Sequence, residues 1–375
     1  MSRIYLDYNA STPIDPAVAG ATRSLLDDHF GNPSSGHWAA VGAKAALEEA
    51  RGHVAALLGA ENDEIIFTSG GSEANNLALK GVAWSLKAKG DHIITTSVEH
   101  PAIVGPCRFL QQLGSTVSVV PVDRFGRIDA SDVQRAITPR TVLISVMHAN
   151  NEVGTTQPIA EVSRIARERG ILLHTDAAQS VGKVATEVNV LGVDLLTVAG
   201  HKVYAPKGVG ALYVRRGTPL EPLIHGAGHE GGRRAGTESA LLAVGLGTAC
   251  QLARNLAPME GVRVLRDRLW QRLRATFGDR VVLNGHPDHR LPNTLNVSFV
   301  GQVGAEILAR LDGVAASTGS ACHTGHIELS PVLKAMGVAA DVGMGAIRFS
   351  LGRGTTQEQI DAVSDQLAGI LAPMT

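Results

Sequence analysis

Along much of the chain, short apolar runs alternate with longer segments whose apolar residues recur at helical spacing. The β-rich opening of Glu64–Lys80, then His92–Ser97, Val142–Met147, the start of Ile171–Lys183, Asp194–Val198 and Gly210–Val214 read as strands. Helical patterns run over Trp38–Leu58, open at Ser72–Glu73 and at Pro101, follow Thr237–Glu238, and cover Met259–Phe277. Strands alternating with helices predict an α/β fold with a mainly parallel sheet. Thr294–Val300, a helix near Gly304–Leu311, a short strand near Val314–Ser317, Ala346–Gly352 and a final helix describe a smaller α/β lobe.

Polar residues gather where the predicted strands end, the edge of an open α/β sheet at which ligands bind. His100 follows the strand His92–Ser97, Asn150, Asn151 and Glu152 follow Val142–Met147, and Asp176 and Gln179 close the strand that begins at Ile171. Gly70, Gly71 and Ser72 make a strand–turn–helix, whose free N–H groups and dipole suit an anion; an ordinary helix cap is the alternative. Lys202 sits in a loop between two β-rich runs. Apolar surroundings disfavour its charge, and a neutral amine can hold an aldehyde as a Schiff base and then act as a base; a surface lysine on a hairpin is the plainer reading. Thr237 reads as a helix N-cap, and with it Arg233 or Arg234 could meet an anion, on this subunit or another. Arg348, inside an apolar strand, calls for a carboxylate, either a substrate's or an internal Asp or Glu.

Composition narrows the class. With 375 residues, 44% hydrophobic and 18% charged, 42 glycines and a net charge of −1, the chain suits a compact two-lobed enzyme. Its basic residues are dispersed, so neither nucleic acid nor a membrane is expected as partner. A short apolar stretch after Met1-Ser2-Arg3 ends at Asp7, which predicts a cytoplasmic location. Cys107, Cys250 and Cys322 are too few and scattered for a disulfide framework. Cys322 lies in GSACHTGH, a polar loop beside His323 that exposes a thiol and favours thiolate. Cys322, His323 and His326 with His225 and His229 fit no standard ligand spacing, so no metal is expected.

The runs YLDYNASTP, GNPSS, IIFTSGGSEANNLALKG, SVEH, NNEVG, HTDAAQSVGK, GHK, APKG, GTES, GSAC and IRFSLGR follow one another nearly end to end. In that order the chain resembles the class V aminotransferase-like pyridoxal-phosphate enzymes, and within them the cysteine desulfurases of the NifS/IscS type; selenocysteine lyases are similar. The resemblance implies a PLP-dependent transferase of fold type I, with a seven-stranded sheet in a large domain over residues 13–254 and a small domain over 1–12 and 255–375 that carries the catalytic cysteine loop. It implies pyridoxal 5'-phosphate on Lys202, Asp176 at the pyridine nitrogen, Gln179 at the ring hydroxyl and His100 stacked over the ring. Gly71, Ser72 and His201 would hold the phosphate, with Thr237 lent by the second subunit of a homodimer. Asn151 would lie near the cofactor ring or the substrate carboxylate, and Arg348 would bind that carboxylate.

The activity so implied converts L-cysteine to L-alanine. Lys202 moves the α proton, and the sulfur passes to Cys322 as a persulfide. An acceptor then collects it, whether a protein serving iron–sulfur cluster assembly, a thiolation enzyme or a small thiol. Ala199 stands where many relatives carry a phosphate-binding serine, and His323 is similar to the selenocysteine lyase loop. Alternatives are a selenocysteine lyase, another class V reaction without persulfide, or a non-catalytic scaffold, against which Lys202, Asp176, His100 and Cys322 argue.

Overall fold

A computed structural model describes residues 3–318 and 328–371; Cys322, His323 and His326 lie outside the described residues. Strand β1 (Ile4–Tyr5) precedes β2 (Ile65–Thr68), β3 (His92–Thr96), β4 (Thr116–Val120), β5 (Thr141–Ser145), β6 (Leu172–Asp176), β7 (Leu195–Ala199) and β8 (Gly210–Val214). The last seven of these form one sheet in the order β2-β8-β7-β6-β5-β3-β4. From β4 to β7 all neighbours are parallel, whereas β8 runs antiparallel to β7 and to β2. The expected mainly parallel, seven-stranded sheet is therefore present.

The period of two along each strand explains why these runs are mostly apolar on both faces. Ile94, Ile144 and Leu196 face one core cluster with Ala50, Val54 and Leu58 of the helix Trp38–Leu58. Their chain neighbours Ile93, Leu143 and Leu195 face another, with Leu77 and Val82 of the helix Gly71–Ser85. Both faces of the sheet are covered, so the polar side chains inside strands bond one another, as His174 does with Ser145 and Thr197, and polar groups are left for a ligand at the strand ends. The parallel strands β3, β5, β6 and β7 all deliver those ends to one edge, and β2, antiparallel to β8, points the same way.

A second sheet joins β9 (Val281–Asn284), β10 (Thr294–Phe299) and β12 (Ala346–Ser350) in the order β12-β10-β9, all antiparallel. The short β11 (Val314–Ala315) pairs with β1. Ile4 and Leu6 pack into the same core as Leu269, Leu295, Phe349 and Leu367. The chain leaves that core through Asp7, which bridges Ser350, and runs to the edge of the large sheet. Among the described residues no single helix is long and apolar enough to cross a membrane.

Candidate active site

Lys202 closes a tight turn, Gly200–Lys202, directly after β7. Gly200 is required there, because a Cβ would lie 2.7 Å from the Val209 carbonyl oxygen. The Lys202 amine donates to the carbonyls of Asn9 and, at 2.9 Å, of Ala10. Burial, helped by Arg348 and opposed by Asp7 and Asp176, lowers it to about 8. Tyr204 follows in a left-handed conformation, φ 71, held by its N–H on Thr12 and by its hydroxyl, which accepts from the Arg353 N–H at 2.8 Å.

Asp176, at the end of β6, is 5% exposed. It accepts from Asn75 Nδ2 at 2.7 Å and from the Ala178 N–H at 2.9 Å, so its carboxylate is fixed before any ligand arrives. His100 caps the helix Pro101–Gln112, and its Nδ1 accepts from the Ala102 N–H at 3.1 Å. That bond leaves the proton of the neutral ring on Nε2. Burial holds His100 below the usual histidine range against the pull of Asp176, with Lys202 adding to the depression. Gln179 donates to the Asn9 carbonyl at 3.0 Å and accepts from Lys183 at 3.1 Å.

At the other end of the cavity the helix Gly71–Ser85 begins with no side-chain cap, preceded by Gly70 at φ 151. Gly210 lets this turn approach β8: a Cβ on it would meet the Val198 carbonyl oxygen at 2.5 Å and Gly70 at 2.8 Å. The uncapped N–H groups suit an anion. His201 beside them is kept neutral, lowered to about 4 by burial and by the cations Lys202 and Lys207.

Arg348, 6% exposed, extends from β12 to the same place. The internal acid is its partner here: Nη2 pairs with Asp7 at 2.7 Å, and Nη1 donates to the Asn151 carbonyl at 2.9 Å. A cavity of about 640 Å³ is lined by Gly71, Ser72, His100, Asn151, Asp176, Gln179, His201, Lys202 and Arg348. Every expected site residue among those described therefore meets there except Thr237.

One expectation for the following loop needs correction. Thr237 is exposed and caps nothing; Ser239 directly precedes the helix Ala240–Ala253 and accepts from the Leu242 N–H. A cap must be the residue before the first helical one, and the helix starts later than Thr237 suggested. Thr237 lines a smaller adjoining cavity of about 210 Å³. The arginines are also engaged: Arg234 pairs with Glu73 at 2.8 Å, and Arg233 donates to the Asp63 carbonyl at 2.7 Å. Among the described residues no group of His, Cys, Asp and Glu could hold a metal ion.

With this geometry in view, residues 4–363 match the family description Aminotransferase class-V. The chain belongs to the aminotransferase class-V family. This class-V chain is 48% identical over 372 residues to a cysteine desulfurase IscS of Dictyoglomus turgidum, covering 98% of itself and 94% of that protein. It is 44% identical over 363 residues to a cysteine desulfurase of Homo sapiens, covering 96% of itself and 79% of the relative. Among solved structures, a NifS-like protein superposes with a TM-score of 0.92 at 36% identity, over 98% of this chain and 99% of that one. Another, SspA in complex with cysteine, gives 0.84 at 38% identity, over 94% and 100%.

Some residues of the class-V site are not evident in the linear sequence. Asn9, Asn75 and Lys183 lie inside the motifs quoted above, yet only the fold shows what they touch: Asn75 braces Asp176, and Asn9 and Lys183 brace Gln179. Asp7 is likewise revealed by Arg348. An amide or amine within an apolar or glycine-rich motif was the one available signal.

Proposed function

We propose that this chain is a pyridoxal-phosphate-dependent cysteine desulfurase, converting L-cysteine to L-alanine and passing the sulfur through Cys322 to an acceptor protein or small thiol. We further propose that it works in the cytoplasm as a homodimer, with Thr237 completing the partner's phosphate site. The carrying observation is that one cavity holds an amine lowered to about 8, a fixed carboxylate, a neutral imidazole, an arginine and an uncapped helix N-terminus.

That donor set fits the cofactor at each end. An aldehyde needs the Lys202 amine, a pyridine nitrogen needs the Asp176 carboxylate, and a phosphate needs the N-terminus at Gly71 and Ser72. The cradle is close: a Cβ on Gly71 would stand 3.1 Å from Ala199 Cβ. His100, Gln179 and His201 complete the proposed set, with Asn151 and Arg348 toward the substrate. When bound, the cofactor supplies an electron sink that lets an amino acid release its α proton.

The chain's own residues do the rest. Asp176 keeps a proton on the ring nitrogen, strengthening that sink. Lys202, whose neutral form is well populated near pH 8, takes the α proton and returns it. Arg348 and Asn151 orient the substrate carboxylate, and neutral His100, whose Nδ1 is taken by the Ala102 N–H, keeps Nε2–H as a hydrogen-bond donor in the wall of the cavity. Cys322 attacks the substrate sulfur: a C–S bond breaks and an S–S bond forms. L-cysteine plus the Cys322 thiol give L-alanine plus the Cys322 persulfide, which balances.

The test is alanine and sulfide release from cysteine by the full-length protein, with selenocysteine in parallel. Lys202→Ala and Cys322→Ser should each lower desulfuration by about 10²–10⁴-fold. Undiminished turnover in Cys322→Ser would indicate a class-V reaction without persulfide, and turnover of selenocysteine alone would indicate a lyase.

A further inference from the structure

Asn9 is 1% exposed, and each of its polar groups has a partner. Its N–H donates to Ser350 Oγ at 2.9 Å. Its side-chain Nδ2 donates to Thr294 Oγ1 at 2.9 Å and to the Asn151 carbonyl at 3.2 Å. Its Oδ1 accepts from Asn293 Nδ2 at 3.0 Å and from Lys183 Nζ at 3.3 Å. Ser350 and Thr294 belong to the three-stranded sheet, while Lys183 and Asn151 follow strands of the large one. Asparagine is the shortest side chain that supplies two donors and an acceptor at once. Aspartate would keep the acceptor and lose both donors, and leucine would lose all three.

The side chain does not touch the reactive amine; the backbone does. The Asn9 carbonyl accepts from Lys202 and from Gln179, and the next carbonyl, of Ala10, accepts from Lys202 as well. We propose that Asn9 is a positioning residue, its side chain clamping the Asn9–Ala10 backbone so that two carbonyls hold the Lys202 amine and one of them also fixes the Gln179 amide. The clamp gives a long, freely rotating lysine one resting place at the sheet edge. It deepens the proposed role of Lys202 and rests on that reading.

The clamp has a measurable electrostatic consequence. Carbonyl oxygens stabilise the ammonium and so oppose burial, the force that depresses Lys202. Freeing the backbone should let burial win further. The charged and titratable groups facing the amine are Arg348 on β12, Asp7 in the N-terminal segment, Asp176 at the end of β6, Lys183 after it, and His100 and His201. Asn9→Ala replaces none of them, although Lys183 loses one acceptor.

The test uses full-length protein treated with hydroxylamine and dialysed to free the amine, then pulse-labelled with acetic anhydride across a pH series. Labelling of Lys202 is read by peptide mass spectrometry against the exposed Lys44. In Asn9→Ala the Lys202 midpoint should fall by about one pH unit, the size expected for losing a hydrogen bond to a charged group. A lowered melting temperature with an unmoved midpoint would overturn the proposal, reducing Asn9 to a packing residue. If Asn9→Ala does not fold, Thr294→Val, which removes one support of Asn9 and no contact of Lys202, should move the midpoint the same way by less. An unmoved midpoint there overturns it equally. Because the labelled protein carries no cofactor, failure here leaves alanine release from cysteine as the separate test of the desulfurase reading.

Discussion

At the residue scale, the balance of forces on Lys202 decides when it can react. Burial is the largest influence and lowers the amine from the ordinary lysine value to about 8; Arg348 adds to the shift, and Asp7 and Asp176 oppose it. Since only the neutral amine attacks an aldehyde, uptake of pyridoxal phosphate by cofactor-free protein should rise about tenfold per pH unit below about 8 and level off above it. Stopped-flow absorbance of the imine band across pH checks this. A flat profile from the acid side through the expected midpoint would mean that the amine is not the group being titrated. His201, lowered to about 4, stays neutral around that midpoint and does not mask the signal.

At the element scale, the anion end of the site depends on how closely a turn can approach a strand. The turn between β2 and the helix Gly71–Ser85 presses against β8, and Gly210 is the residue that admits it. Gly210→Ala should push the Gly70 turn and the helix start away from the cavity, with overpacking of about 1–3 kcal/mol. We expect pyridoxal phosphate to bind about tenfold more weakly, equivalent to about 1.4 kcal/mol, with the Lys202 midpoint for labelling unchanged. Equilibrium dialysis against the cofactor reads the first and amine labelling the second. A variant that retains wild-type affinity would show that the turn accommodates the methyl group by other means.

For the whole molecule, the surface around the helices Ser24–Asp27 and Trp38–Leu58 stands out. Leu26, Phe30, Trp38 and Val41 are 63%, 76%, 83% and 66% exposed, an apolar display that a single chain leaves to water. Leu25 and Ala43 pack with Ala240, the first residue of the helix that follows Thr237. The helices carrying these exposed residues thus adjoin the loop proposed to reach a second copy, and that copy is the cover we expect for them. Trp38→Glu should convert a dimer in sedimentation velocity to a monomer and reduce cofactor retention with it. A variant that still sediments as a dimer would place the interface elsewhere.

From the chain alone, the strand ends were legible because glycine, histidine, asparagine and aspartate interrupt runs that are otherwise apolar. A sheet covered on both faces holds few polar side chains within its strands, so His100, Asp176 and Lys202 stand out in a linear reading. The helix start after Thr237 is not fixed by local pattern, since two hydroxyl residues flanking Glu238, Thr237 and Ser239, offer the same capping chemistry and only the backbone path selects Ser239. Arg348 was legible as an arginine in need of a carboxylate, but not which one; folding brought Asp7 to it from 341 residues away. Asn9 was invisible for the same reason, being joined to Lys202 across 193 residues of chain. Local pattern determined which residues reach the edge of the sheet, because periodicity is a property of neighbours in sequence. The tertiary structure alone decided which partner holds each of them, because hydrogen bonds between distant segments exist only once both sheets have been brought together.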